Sequence, residues 1–175
     1  MTKMKKQRDN YTFLTHAPVH RVIVSMAIPT IISMLVTSIY GMVDTYYVGQ
    51  INTQSTAAVG ISFSIMTIIQ AIGFFFGHGS GNYISRMLGA KRTDEAKYMA
   101  ATGLVGSVTF GLAVAVVGLA FLSDICIFLG STETILPYTE RYLGIILVGA
   151  PFMTGAFTLN NQMRFQGNAK YAMYG

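Results

Sequence analysis

The stretch 22-VIVSMAIPTIISMLVTSIYGMVDTYYVG-49 decides how this chain folds. It is long enough to cross a bilayer and carries one charged side chain, Asp44. No other Asp, Glu, Lys or Arg occurs between Arg21 and Arg86. On insertion scales a carboxylate in a lipid-facing helix costs about 2.5–3.5 kcal/mol, so such residues turn toward a cavity or a partner.

Working outward, the rest of the chain has the same character. Hydrophobic residues make up 52% of it and charged residues 11%, against about 25% charged in soluble domains; mean hydropathy is +0.49. Charge-free runs cover Val22–Val43, Thr45–Ser85, Tyr98–Ser123 and Tyr142–Met163. A spanning helix takes about 20 mostly apolar residues. The second run is too long for one helix, and its polar start, Gly49–Ser55, reads as a turn. The expectation is an all-α polytopic membrane protein: a tail over 1–21, four spanning helices near 22–48, 56–84, 98–122 and 138–161, and a segment over 162–175.

The charge distribution gives an orientation. Eleven of the twelve basic residues lie before the first helix, between the second and third, or after the fourth; Arg141 is the exception. The positive-inside rule places that side, with the N-terminus and residue 175, in the cytoplasm of a multi-pass cell-membrane protein. The basic balance is thereby accounted for by membrane topology, with lipid as a partner and nucleic acid excluded. Asp9, Asn10, Tyr11 and Thr12 follow the first basic residues where a signal peptide would have its apolar core. The lone Cys126 excludes an internal disulfide and suits packing.

Pro29 and Pro151 each remove a helix hydrogen bond and crowd the preceding turn, so each marks an expected bend. For Pro29 a static kink and a moving hinge both fit. The glycines around His78 lack the strand and helix of a dinucleotide loop and read as close-packing positions, as do Gly103, Ser107, Gly111 and Ala115 at four-residue steps. His78 reads as a hydrogen-bonded packing residue or as a proton carrier. Asp124–Pro137 reads as an outer connection with a short apolar turn, Ile125–Leu129. Asn160, Asn161 and Gln162 close the fourth helix at its inner end.

At 100° per residue, Ser33, Thr37, Tyr40, Asp44 and Tyr47 share a sector of about 80° on the first helix. A stripe of hydroxyls leading to an acid suits a water-filled cavity or a polar seam, with Ser33, Thr37, Tyr40 and Tyr47 supporting Asp44. Counting 1.5 Å per residue from Val22 puts Asp44 about 33 Å along, at the outer edge of a core about 30 Å thick. A helix-ending interfacial aspartate and a recessed carboxylate therefore both stand. A recessed carboxylate would have a raised pKa and could exchange a proton against a bound cation. No Ser–His–Asp set, membrane carboxylate pair or metal-spaced cluster accompanies it, which points away from an enzyme, a catalytic residue or a metal site.

Ala27-Ile28-Pro29, followed fifteen positions after the proline by Asp44 within Val43–Gly49, resembles the first helix of MATE (multidrug and toxic compound extrusion) transporters. Gly77–Ala90 is similar to the end of their second helix, and Asn160–Ala169 to the stretch after their fourth. The resemblance implies a secondary antiporter of twelve helices in two six-helix lobes. It would export cationic or amphipathic drugs in exchange for H⁺ or Na⁺, needing no other cofactor. It implies that these four spans belong to the N-terminal lobe, that Asp44 takes part in cation coupling, and that the first helix bends at Pro29. It also implies that the chain is a fragment or a truncated gene product lacking helices five to twelve, so residues 1–175 alone are expected not to transport. Two other readings compete. A lipid-linked sugar flippase would line its cavity with cations, which the spans do not offer in mid-helix. A small non-transporting membrane protein would associate through the Gly103–Ala115 stripe.

Overall fold

The computed structural model describes residues 17–167 and residue 172. Among them lie five α-helices: α1 (Val19–Ile51), α2 (Thr53–Gly89), α3 (Thr93–Ala120), α4 (Leu122–Phe128) and α5 (Leu136–Phe165). Four of these, all but α4, are long and apolar enough to cross a membrane. No strand occurs among the described residues. At 1.5 Å per residue α2, with 37 residues, is about 56 Å long, well beyond a hydrocarbon core of about 30 Å. α1, α2 and α5 run past the expected spans at both ends, whereas α3 starts earlier, at Thr93, and stops at Ala120.

The turn expected over Gly49–Ser55 is reduced to one residue. Asn52 alone breaks the helices, with an extended backbone at φ −169° and ψ 164°. Its side-chain Oδ1 accepts the Ser55 N–H at 2.6 Å. An N-cap asparagine satisfies one of the orphan donors that open a helix, so polar residues on both sides remain helical. The apolar turn expected at Ile125–Leu129 is likewise a helix, α4. It buries Cys126 against Leu143 and Leu147. Burial, then the Glu140 carboxylate, pushes the Cys126 thiol up from its ordinary value, as befits a packing residue.

The connection between α2 and α3 ends α2 in a Schellman arrangement. The Arg92 N–H is donated to the Met87 carbonyl at 2.9 Å and the Lys91 N–H to the Leu88 carbonyl at 3.1 Å. Lys91 occupies the left-handed position, φ 62°, whereas the same position after α4 is Gly130, φ 99°. A left-handed non-glycine residue costs about 1–2 kcal/mol. Lys91→Gly is therefore expected to stabilise the protein by about 1 kcal/mol, read as a rise in thermal unfolding midpoint in detergent; an unchanged or lower midpoint would contradict this strain.

The core is a three-helix bundle of α2, α3 and α5, with α2 and α5 in the most extensive contact and α1 laid more sparsely on α2. Small residues permit the approach. A Cβ at Gly73 would sit 2.6 Å from Phe157 Cβ, and one at Gly77 2.8 Å from Asn161 Cβ; one at Gly81 would collide with the Phe165 ring. Both sets advance four residues at a time in the same order, so α2 and α5 run parallel. The α3 stripe expected at Gly103, Ser107, Gly111 and Ala115 is buried throughout. Gly103 meets Ser80 and Gln162, and Gly111 meets Thr154 and the Pro151 backbone.

Hydrogen bonds cross the same seams. Gln162 Nε2 donates to Ser80 Oγ at 2.8 Å and to the Ala100 carbonyl at 3.2 Å. Thr154 Oγ1 donates to the Ser107 carbonyl at 3.0 Å and Thr158 Oγ1 to the Gly73 carbonyl at 3.2 Å. Such bonds average about 0.6 kcal/mol in a membrane bundle, so packing at the glycines dominates and the hydroxyls and amides fix register.

Candidate functional site

The unbroken α1 keeps the polar stripe on one face. Ser33 is half-buried, while Thr37, Tyr40, Asp44 and Tyr47 are exposed. Thr37 Oγ1 donates back to the Ser33 carbonyl at 3.0 Å. The Tyr46 and Tyr47 rings meet edge-on at 5.8 Å. The ion pairs among the described residues, Arg92–Glu95 at 3.4 Å and Lys97–Asp94 at 2.9 Å, lie at the start of α3. Asp44 has neither an ion pair nor a hydrogen bond among the described residues. Asp44 and Tyr40 nonetheless lie within electrostatic reach of the Tyr142 hydroxyl, on α5. The Asp44 end of α1 and the Tyr142 end of α5 therefore lie on the same side of the bundle.

Pro29 is the only buried residue of α1. With no N–H it leaves the Ser25 carbonyl without its usual helical donor, while Thr30 Oγ1 reaches back to the Met26 carbonyl at 2.9 Å. Pro151 lies on another element, α5, against Gly111 of α3. Its carbonyl lies 3.0 Å from Thr154 Oγ1 and shares that hydroxyl's one proton with the Ser107 carbonyl. The two prolines are thus in different settings: one on a sparsely packed helix, the other locked in the bundle.

A cavity among the described residues lies elsewhere. It holds about 330 Å³ and is lined by Ile65, Ile68, Phe110, Val114, Val117 and Leu147 among other apolar residues. No charged or polar side chain lines it. Sequence reading missed the buried polar line of α5, Thr154 and Thr158, because an isolated threonine in an apolar run gives no sign of which way it points. The amides it did single out at the end of α5 are in use. Gln162 bridges α2 and α3, Asn160 Nδ2 donates to the Ala172 carbonyl at 2.7 Å, and Asn161 Nδ2 to the Phe157 carbonyl at 2.8 Å.

The chain can now be set beside known proteins. The multidrug export protein MepA of Staphylococcus aureus (strain MRSA252) is 33% identical over 119 residues, which cover 68% of this chain and 26% of MepA. The chain thus spans about a quarter of the length of the curated relatives it matches. A crystal structure of MATE in the straight conformation superposes with a TM-score of 0.82 at 27% identity, covering 87% of this chain and 34% of that one. A crystal structure of MATE in the bent conformation gives 0.81 at 26%, covering 89% and 35%. The MatE family profile matches residues 29–175, from the α1 proline onward. With the helix order, the packed bundle and this match in agreement, the chain belongs to the MatE family of membrane proteins.

Proposed function

We propose that the whole protein is a secondary antiporter that exports small organic cations or amphipathic drugs in exchange for H⁺ or Na⁺, and that Asp44 is its coupling group on α1. The observation that carries this reading is the lone carboxylate of α1, at the end of a largely exposed hydroxyl stripe. A negative site without a built-in cation partner favours one positive occupant at a time, so a proton or Na⁺ and a cationic drug compete for it. That competition is reciprocal, as exchange requires. MepA's name as a multidrug export protein supports the substrate class.

The side bearing Arg86, Lys91, Arg92 and Lys97 is assigned to the cytoplasm by the positive-inside rule. Related proteins have been crystallised in straight and bent conformations. Pro29 is the point on α1 where a change between them costs least, since one backbone bond is already missing there.

The test uses the whole protein in sealed vesicles loaded with an organic-cation dye. An inward H⁺ or Na⁺ gradient is expected to drive dye out, and the gradient that works names the coupling ion. Dye flux indifferent to both gradients would overturn the antiport reading.

A further inference from the structure

His78 stands on α2 in the same long charge-free run that isolates Asp44, eight residues before Arg86. Its Nδ1 lies 3.0 Å from the Phe74 carbonyl. A carbonyl only accepts, so Nδ1 carries a proton and, in the neutral ring, Nε2 is a bare acceptor. The ring is exposed and packed among aromatics. The Phe165 ring of α5 meets it edge-on at 5.6 Å and 82°, and Phe74 lies 5.6 Å away. Phe74 in turn reaches Phe157 of α5 at 5.6 Å. At 100° per residue His78 sits about 160° around α2 from Phe76 and Ser80, the side chains that meet α3 at Phe110 and Gly103. The cluster therefore opens on the face of the α2–α5 pair away from α3.

We propose that His78, with Phe74, Phe157 and Phe165, forms a binding subsite for alkylammonium ions that carry both an N–H and a pendant aryl group. The ligand's N–H is donated to Nε2 while its charge faces the phenylalanine rings. A proton on Nε2 turns that acceptor into a donor and adds a like charge, which excludes the ligand. No bond is made or broken, and proton and ammonium ion alternate on one nitrogen. A quaternary ammonium ion has no hydrogen to donate and gains only the rings. This deepens the export reading above and rests on it for its place in transport.

The surroundings leave this exchange to the imidazole itself. α2 contains no carboxylate, and the acid of α5, Glu140, is at its outer end. The charges on these helices near the cluster are the cations Arg86 and Arg164; α1 adds His20 and Arg21 at its inner end. At the start of α3, Glu95 is engaged by Arg92 and Tyr83, and Asp94 by Lys97.

The test compares a dansyl-labelled tertiary alkylamine with its N-methylated quaternary counterpart, by fluorescence titration of the whole protein in detergent. A hydrogen bond to a charged group predicts that the tertiary ion binds about tenfold more tightly. His78→Phe, which keeps an aromatic ring but loses Nε2, is expected to abolish that preference. Equal binding of the two probes by the native protein, or a preference that survives His78→Phe, would overturn the subsite. The first of these needs no variant, so a misfolded mutant cannot obscure the answer. Binding in detergent needs no gradient. Failure of the export reading would instead show as an intact preference in a protein whose dye flux ignores every gradient.

Discussion

Asp44→Asn in the whole protein is expected to reduce gradient-driven dye export to the level of empty vesicles. The substitution keeps the size and hydrogen-bonding reach of the side chain and removes only its charge. An amide can neither bind and release a proton nor balance Na⁺, so both candidate couplings are lost together. Folding should be spared, because Asp44 is exposed and makes no ion pair or hydrogen bond among the described residues. Expression and elution as a single detergent-solubilised species should therefore match the native protein. Export at the native rate would remove Asp44 from the mechanism. Asp44→Glu restores the charge one methylene further out and should recover part of the activity. Thr37→Ala, which deletes a hydroxyl already bonded to its own helix, should have a smaller effect than either.

The largest expected loss of stability comes from Gly111→Leu. A Cβ there would lie 2.9 Å from Pro151 Cα and 3.2 Å from the Ala150 carbonyl oxygen, besides colliding with Thr154 Oγ1. Backbone on a neighbouring helix cannot rotate away as a side-chain tip can. Helices α3 and α5 must separate, and the Thr154–Ser107 bond at 3.0 Å goes with them. Overpacking in well-packed cores costs about 1–3 kcal/mol and occasionally more, and rigid contacts on both sides put this case at the upper end. The expected result is a lower thermal midpoint in detergent, with much of the protein aggregated. Gly41→Ala is the matched control, since a Cβ there meets nothing within 4 Å. Equal midpoints for the two variants would mean that the α3–α5 seam is looser than its geometry.

How much of this was legible beforehand depends on how local each cause is. Long apolar runs mark α1, α2, α3 and α5 because the hydrocarbon core imposes one length and demands internal backbone hydrogen bonding. The small-residue stripe of α3 was legible for a similar reason: four-residue spacing places glycines on one face whatever they meet. Asn52 was harder, since it stands among Gly49, Gln50, Thr53 and Ser55, each as plausible in a turn. Only the conformation of one residue and its bond to Ser55 decided where the helix broke. Lys91 gave no warning, because a left-handed lysine is held by the hydrogen bonds of its helix end and not by its own preference.

The candidate site divides in the same way. Sequence by itself determined that Asp44 is alone in its run and that Ser33, Thr37, Tyr40 and Tyr47 share its face, because charge and helical period are properties of one strand of chain. It also determined that His78 is titratable and flanked by glycines. Only tertiary structure decided that Gly73, Gly77 and Gly81 receive Phe157, Asn161 and Phe165, that Gln162 spends its amide on Ser80 and Ala100, and that Tyr142 shares the field of Asp44. It alone brought the rings of α5 to His78. These pairings join residues from 62 to 98 positions apart, and the register of α2 on α5 follows from which small residues let two helices close.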